Sequence, residues 1–366
     1  METTAGRIYK RLLKGIVGGK YAVGEKMPVE RVLAVKLGCN RSTLGKALAR
    51  LESEGYLERR TKAGTLVKRD RPDWTAPDGG LDAVGFLHSG FPHEAHEAIL
   101  RGFNYAAAEA GVRVIAITTG NDFRKEAEFV SRLPDYGVRA AAICPIIADP
   151  TDRFAYYDAI RASRLPLVQA GYVLPSVELP TVDADYDDAV VKIVSHLADG
   201  CGARRIAFFS DYAWAGWVRQ GFAGYRRALE VHGLGYDERL VFLEESLRPD
   251  YRDPVREGAR MASRFLSSAG KVDAVVTTGD YLALGMLAAA RKRRMPVPRD
   301  LRITGMGEFS AAVDSPISLT TVRFDFTEVG KRLFAAVAAR ATGRGTVRDH
   351  FVKGELVVRD STRKSR

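Results

Sequence analysis

A two-lobed α/β domain of doubly wound parallel sheets, preceded by a winged helix-turn-helix, is the fold this sequence predicts. Three observations carry that expectation. The excess positive charge lies in the first 69 of 366 residues, which hold 16 Lys and Arg against 6 Asp and Glu, a net +10. The other 297 residues hold 40 basic and 39 acidic side chains, a net +1. The basic stretch reads as three short helices and a hairpin, whereas the rest alternates short apolar runs with amphipathic helical stretches. A small basic module joined to a large neutral one points to a nucleic-acid reader attached to a domain that controls it.

Composition narrows the class. No segment approaches the roughly 18 uncharged apolar residues of a membrane span, and the N-terminal residues lack the apolar run of a secretory signal. Cys39, Cys144 and Cys201 are far apart and odd in number, so they make neither a disulfide framework nor a zinc spacing. A soluble cytoplasmic protein without a membrane partner is expected.

In the basic module, Ile8, Leu12, Leu13 and Ile16 recur at helical spacing and predict a helix from about Gly6 to Val17. Gly18-Gly19 ends it, and Val23 to Pro28 reads as a turn. Pro28 suits the first position of a second helix with Val32, Leu33 and Leu37 as its apolar face. Gly38 stops that helix. Asn40 is an N-cap for a third, which runs to Gly55 and buries Leu44, Leu48 and Leu51. Strands at about Tyr56–Arg59 and Thr65–Lys68 flank the loop 60–64. Three helices and a hairpin in this order make a winged helix-turn-helix spanning residues 1–69.

The face opposite the leucines carries Arg41, Ser42, Gly45 and Lys46 at the end of a recognition helix that reaches base edges. Arg41 can fork onto a guanine edge or a phosphate, while Ser42 and Thr43 donate to phosphate oxygens. Lys62 and Gly64 belong to the wing, where Lys62 would reach the minor groove or backbone. A solvated basic face is the plainer reading of these charges. The joint order of helices, turn and basic hairpin weighs against it.

Residues 7–69 resemble the DNA-binding domain of the GntR family of bacterial transcription regulators. The matching runs include Gly24-Glu25-Lys26-Met27-Pro28, Glu30-Arg31-Val32-Leu33-Ala34, Arg41-Ser42-Thr43-Leu44 and Gly64-Thr65-Leu66-Val67. The resemblance implies DNA contacts from Arg31, Arg41 and Thr43. Gly45 stands where the family usually has a further DNA-contacting arginine, and Lys62 replaces its usual first wing glycine. Arg31, Asn40, Arg41, Ser42, Thr43, Lys46, Lys62 and Gly64 form the expected DNA-binding set.

Residues 70–81 are rich in Pro, Gly and Asp and read as a linker. Residues 82–366 contain apolar runs at Ala83–Leu87, Val112–Ile117, Ala140–Cys144, Leu165–Val168, Ile206–Phe209, Ala274–Val276 and Leu301–Ile303. Helical stretches at Ala95–Glu109, Ala189–Leu197, Phe222–Val231 and Leu282–Arg291 lie between them. The alternation predicts parallel sheets, and about ten βα repeats are too many for one compact sheet, so two lobes are expected. Neither a dinucleotide fingerprint, a Walker-type loop nor a nucleophile elbow is present. No catalytic constellation and no cofactor follow from the sequence. His88, His93 and His96 cluster in one loop, but no carboxylate or cysteine pattern completes a metal site; the mouth of a polar pocket suits them better.

Residues 83–361 resemble the effector domain of the lactose/galactose-repressor (LacI/GalR) family, which is similar to periplasmic sugar-binding proteins. The resemblance rests on runs such as Val182-Asp183-Ala184-Asp185, Gly224-Tyr225-Arg226-Arg227-Ala228-Leu229, Asp280-Tyr281-Leu282-Ala283-Leu284-Gly285 and Glu355-Leu356-Val357-Val358-Arg359-Asp360-Ser361. A GntR-like reader fused to such a domain resembles the arabinose-repressor subgroup. The resemblance implies a ligand cleft between two lobes, a dimer along their sides, and crossovers near Thr181–Asp185, Ser318–Val322 and Arg344–His350.

Ligands in open α/β lobes bind beyond the C-terminal strand ends, so the expected ligand-binding residues are His88, Phe91, His93, Gln169, Asp185, Trp214, Arg219, Asp280 and Glu308. Aromatic members such as Trp214 and Phe91 serve equally as interlobe packing. Asp280 falls at the family's ligand-binding aspartate, with helix capping as its plainer role. Three positions depart from the family: Gly221 replaces a sugar-binding arginine, Gly279 an asparagine and Gly307 an acidic residue, with Arg219 or Glu308 available to compensate. The expected function is a transcription regulator, a repressor, that binds a pseudo-palindromic double-stranded operator as a homodimer and answers to a small sugar-like effector. The alternatives are a DNA-binding dimer whose large domain no longer binds ligand, and an α/β enzyme that lacks an identifiable catalytic pair.

Overall fold

The computed structural model describes residues 4–17, 19–53, 56–60, 64–68, 81–90, 93–120, 122–145, 153–163, 165–171, 174, 177–244, 253–343 and 347–363. The chain divides into two compact units, residues 1–83 with 132–139, and residues 84–131 with 140–366.

The first unit begins with helices α1 (Thr4–Val17), α2 (Glu30–Leu37) and α3 (Arg41–Ser53), followed by strands β1 (Leu57–Arg60) and β2 (Gly64–Val67). The strands pair antiparallel, Leu57 opposite Val67 and Arg60 opposite Gly64. One core gathers Ile8, Leu12 and Ile16 from α1, Leu33 from α2, and Leu44, Leu48 and Leu51 from α3. The helical periodicity of these residues accounts for α1 and α3. Gly38 takes the left-handed conformation at φ 67° and caps α2, so its N–H reaches the last turn's carbonyls.

Two local expectations fail here. Pro28 does not open α2, because Val29 is its N-cap and the helix starts at Glu30. Val32 is 51% exposed, and Ala34 is buried beside Leu33 instead, since burial follows the i, i+1 edge that α2 turns toward α3. The segment read as a turn also joins the wing. Lys26 bridges Leu66 antiparallel, and Gly24, Met27 and Val67 exchange backbone hydrogen bonds with Val67, Thr65 and Glu25. The two-stranded hairpin is therefore flanked by a bridge-paired segment.

The second unit holds two four-stranded sheets. Lobe 1 has β3 (Ala83–His88), β4 (Arg113–Thr118), β5 (Val138–Ile143) and β6 (Leu167–Gln169) in the order β4-β3-β5-β6. Lobe 2 has β8 (Ile206–Ser210), β9 (Val241–Leu243), β10 (Ala274–Thr277) and β11 (Arg302–Thr304) in the order β11-β10-β8-β9, all its pairings parallel. Helices α4 (Glu94–Glu109), α5 (Phe123–Arg132), α6 (Arg153–Ala162) and α12 (Phe326–Thr342) belong to lobe 1. Lobe 2 has α7 (Tyr186–Ser195), α8 (Gly216–Val231), α9 (Pro254–Ser268), α10 (Asp280–Lys292) and the short α11 (Ser310–Val313).

Three passages of chain join the lobes. β7 (Val182–Ala184) is the first, β12 (Thr321–Arg323) the second, and β13 (His350–Val352) with β14 (Glu355–Val357) the third. β13 runs parallel to β7, and β14 antiparallel to β12. The first passage also bridges Gln169 through Thr181, and the second bridges Thr304 through Thr320. The first two expected crossover regions overlap β7 and β12, but the third, expected at Arg344–His350, meets β13 only at His350, the passage running on to Val357; residues 344–346 lie outside the described ones.

Glycines set how closely the helices pack. A Cβ at Gly330 of α12 would lie 2.0 Å from the Ile99 carbonyl oxygen of α4, and one at Gly102 of α4 would lie 2.0 Å from that of Thr327. Gly285 of α10 meets the Gly258 backbone of α9 at 2.5 Å in the same sense. These helix pairs are in backbone contact, which only the absence of a side chain permits.

Candidate nucleic-acid interface and effector cleft

Asn40 caps α3, its Oδ1 accepting the Thr43 N–H at 2.7 Å. The cap fixes the start of the helix, so the side chains that follow are aimed by geometry rather than by contacts of their own. Arg41, Ser42 and Lys46 are exposed, Thr43 is half-buried, and Arg31 is exposed in the first turn of α2. A side chain at Gly45 would enter open space, so the position is unfilled rather than closed. Gly64 opens β2 at φ 89°. Lys62 lies outside the described residues. The exposed Lys26, which a Gly- and Pro-flanked turn concealed from sequence reasoning, is carried on the wing by its bridge to Leu66. Exposed cations around the N-terminus of this capped helix make a surface suited to phosphate and base edges.

In the cleft, several expected ligand residues are engaged within the protein. Asp280 is fully buried; its carboxylate accepts from the Phe309 N–H and the Thr321 hydroxyl, each at 2.8 Å. Burial pushes its pKa up to about 6 against these hydrogen bonds. Gln169, also buried, donates to the Leu179 carbonyl and the Thr181 hydroxyl and accepts from the Leu174 N–H, which holds its loop. Asp185 caps α7 by accepting the Asp188 N–H at 3.0 Å. Glu308, at a left-handed φ of 55°, pairs with Arg323 of β12 and with Arg359. The two guanidiniums hold its carboxyl below its usual range.

The remaining members are more open or aromatic. Trp214 is half-buried in a ring cluster with Tyr212 and Trp217, and its carbonyl accepts from the exposed Arg219 at 2.6 Å. His88 Nδ1 accepts the Gly90 N–H at 3.2 Å. His93 stands edge-on to Phe309 at 5.0 Å and lies 5.3 Å from the His96 ring. Burial lowers the pKa of all three imidazoles, that of His96 to about 3. Only His93 of the three meets aromatic rings of lobe 2, those of Tyr281 and Phe309, while His88 lies against Phe86 of lobe 1 and His96 against His93, rather than at the mouth of a polar pocket. Among the described residues, no group of three or more His, Cys, Asp or Glu is arranged to hold a metal. Phe91 lies outside the described residues.

The glycine positions differ among themselves. A Cβ at Gly307 would sit 2.6 Å from the Phe309 ring, which fills the space an acidic side chain would need. Phe309 also stacks on Tyr281 and Phe326. A Cβ at Gly279 would meet nothing within 4 Å. A polar interlobe cavity of about 320 Å³ lies beside this row, with Glu94, Glu97, Arg101, Phe309 and Phe326 in its walls.

One constellation was not anticipated. His232 lies between the Ser195 hydroxyl at 2.8 Å and the Asp199 carboxylate at 3.1 Å, the order of nucleophile, base and orienting acid. Asp199 is 71% exposed. The N–H after the serine, that of His196, is spent on the Lys192 and Ile193 carbonyls of α7. A serine inside a helix has no free amide there to stabilise an oxyanion, so the triplet fastens α7 to α8.

Residues 4–67 match the gntR family of bacterial regulatory proteins, and residues 194–362 match the periplasmic binding protein-like domain. The arabinose metabolism transcriptional repressor of Geobacillus stearothermophilus is 28% identical over 367 positions, covering 98% of this chain and 97% of that protein. The structure of the regulator CcpA of Lactococcus lactis superposes with a TM-score of 0.67 at 22% identity, covering 77% of this chain and 100% of that one. A CelR–cellobiose complex gives 0.66 at 21%, covering 92% and 100%. Helices, wing and two parallel-sheet lobes agree with these matches along the chain: it joins a DNA-binding domain of the bacterial gntR regulatory family to a periplasmic-binding-protein-like domain.

Proposed function

We propose that the chain is a ligand-responsive transcriptional repressor that binds a pseudo-palindromic operator as a homodimer and is controlled by a small polar effector, a sugar or sugar derivative. The observation that carries this reading is the exposed Arg41, Ser42 and Lys46 on a capped α3, in a chain that continues into two lobes joined by three strands. Two copies of a small reader need matched half-sites to reach useful affinity. The whole-length similarity to an arabinose metabolism repressor, and the likeness of fold to a cellobiose-bound regulator, support a sugar-like effector. Arg31, Arg41, Thr43 and Lys46, with the wing residues Lys62 and Gly64, are assigned to DNA. His88, His93, Trp214 and Arg219 are assigned to the ligand among the cleft residues, because Gln169 and Asp280 are buried and the carboxylates of Asp185 and Glu308 are spent on a helix cap and on ion pairs.

A second reading, a DNA-binding dimer that no longer answers to ligand, is favoured by those engaged polar groups and by the Phe309 ring beside Gly307. Gel shifts with DNA from upstream of the protein's own coding region test the operator. A thermal-shift screen with mono- and disaccharides tests the effector. Operator binding without any stabilising sugar would favour the second reading, and loss of both would overturn the first.

A further inference from the structure

Glu94 opens α4 in lobe 1, yet its carboxylate is held by lobe 2. The Ser310 N–H donates to both oxygens, at 3.2 and 3.0 Å, and the Ser310 hydroxyl donates at 2.8 Å. The Tyr281 hydroxyl donates at 3.3 Å. Beside this polar contact the His93 ring meets Phe309 at 5.0 Å and Tyr281 at 6.2 Å. Every donor belongs to lobe 2 and the acceptor to lobe 1, so these bonds exist only while the lobes are together. The ion pairs of Glu308 are different: Arg323 and Arg359 lie on or next to the strands that connect the lobes, so these pairs do not reach across the cleft from lobe 1. Hydrogen bonds to an ionised carboxylate are about twice as strong as neutral ones. A single side chain collecting all of them is therefore placed to decide how far the cleft opens.

We propose that Glu94 is an interlobe clasp that sets the balance between open and closed lobes. The inference rests on the reading of the lobes as a ligand-responsive pair, and it names the contact against which an effector would work. A ligand that favours closure would bind more weakly once the clasp is gone, because less of the protein would be in the competent state.

The test is the distance between the lobes in the full-length protein, without DNA or sugar. Spin labels are introduced through Ala108→Cys on α4 and Glu230→Cys on α8, both exposed, in a Cys39→Ser background. Cys144 and Cys201 are buried and stay. Pulsed electron paramagnetic resonance should show a longer and broader distance distribution for Glu94→Ala than for the parent. Glu94→Gln, which retains an acceptor for the Ser310 N–H, should fall between the two. If Glu94→Ala fails to fold, the pair Tyr281→Phe and Ser310→Ala removes two donors from the other side and should shift the distribution in the same direction. Distributions superimposable on the parent's in every folded variant would overturn the clasp. Gel shifts on the same proteins report separately on operator binding, so a failed functional reading cannot be mistaken for a failed clasp.

Discussion

Arg41 stands exposed on the first residue of α3, where the Asn40 cap behind it fixes the direction in which it leaves the helix. Arg41→Ala should weaken operator binding by about 1–3 kcal/mol if the guanidinium reads a base, measured by gel shift at fixed salt. Unchanged affinity would remove Arg41 from the surface that meets DNA. Asp280 is a contrasting case. Asp280→Ala leaves the Phe309 N–H and Thr321 hydroxyl buried without an acceptor, at about 1–3 kcal/mol each. The expected outcome is a lower unfolding midpoint in denaturant, and an unchanged midpoint would contradict the described bonding. Nothing near Asp280 in sequence reveals that role, because its partners lie 29 and 41 residues away. Asn40 was legible because an N-cap's partner is three residues on. Asp183 carries a pH dependence. It is buried, accepts from the Gly171 and Ala184 N–H groups, and burial pushes its pKa up to about 7. An acid whose pKa rises on folding binds more protons folded than unfolded, so its contribution is present at low pH and is lost as pH rises through about 7. His93 and His96, shifted down, act oppositely below their ordinary range. The sign is therefore read from a difference: the melting temperature of Asp183→Asn relative to wild type should rise between pH 4 and 8. A difference independent of pH would show that Asp183 does not titrate there.

At the scale of elements, periodicity and punctuation made most helices and strands visible. Leu44, Leu48 and Leu51, spaced four and three apart, are all buried, and the apolar runs at 206–209 and 274–276 lie within central strands of lobe 2. The bridge that ties residue 26 to the wing was hidden because Gly24 and Pro28 mark a turn by every local rule. It forms by pairing with residues some forty positions later. Helix contact through glycine was equally illegible, since a glycine inside a helical pattern reads only as a weak helix former. Gly330→Ala would press a methyl group against the Ile99 carbonyl, and overpacking of this kind typically costs 1–3 kcal/mol. Chemical denaturation should show the loss, whereas Gly45→Ala, facing open space, should not destabilise α3. Equal effects would argue against backbone contact between α4 and α12.

For the whole molecule, residues 1–69 alone should bind operator DNA more weakly than the full chain, because a linked dimer gains effective concentration worth commonly 10²–10⁴-fold. Equal affinity in the two would make dimerisation through the large domain irrelevant to binding. This division of labour is written in the sequence as a charge split, and the two lobes as βα alternation. Effector identity was not legible, since it depends on which cleft side chains remain uncommitted after folding. The passages between the lobes carry a mechanical consequence. Because β13 pairs with β7 and β14 with β12, the third passage is tied to each of the other two in turn. Independent tethers would let the lobes slide past one another or spin. Passages paired in fixed register allow the lobes to rock, but sliding would have to break the pairing of β7 with β13 and of β12 with β14. Opening and closing is therefore the easy motion, and shear the costly one.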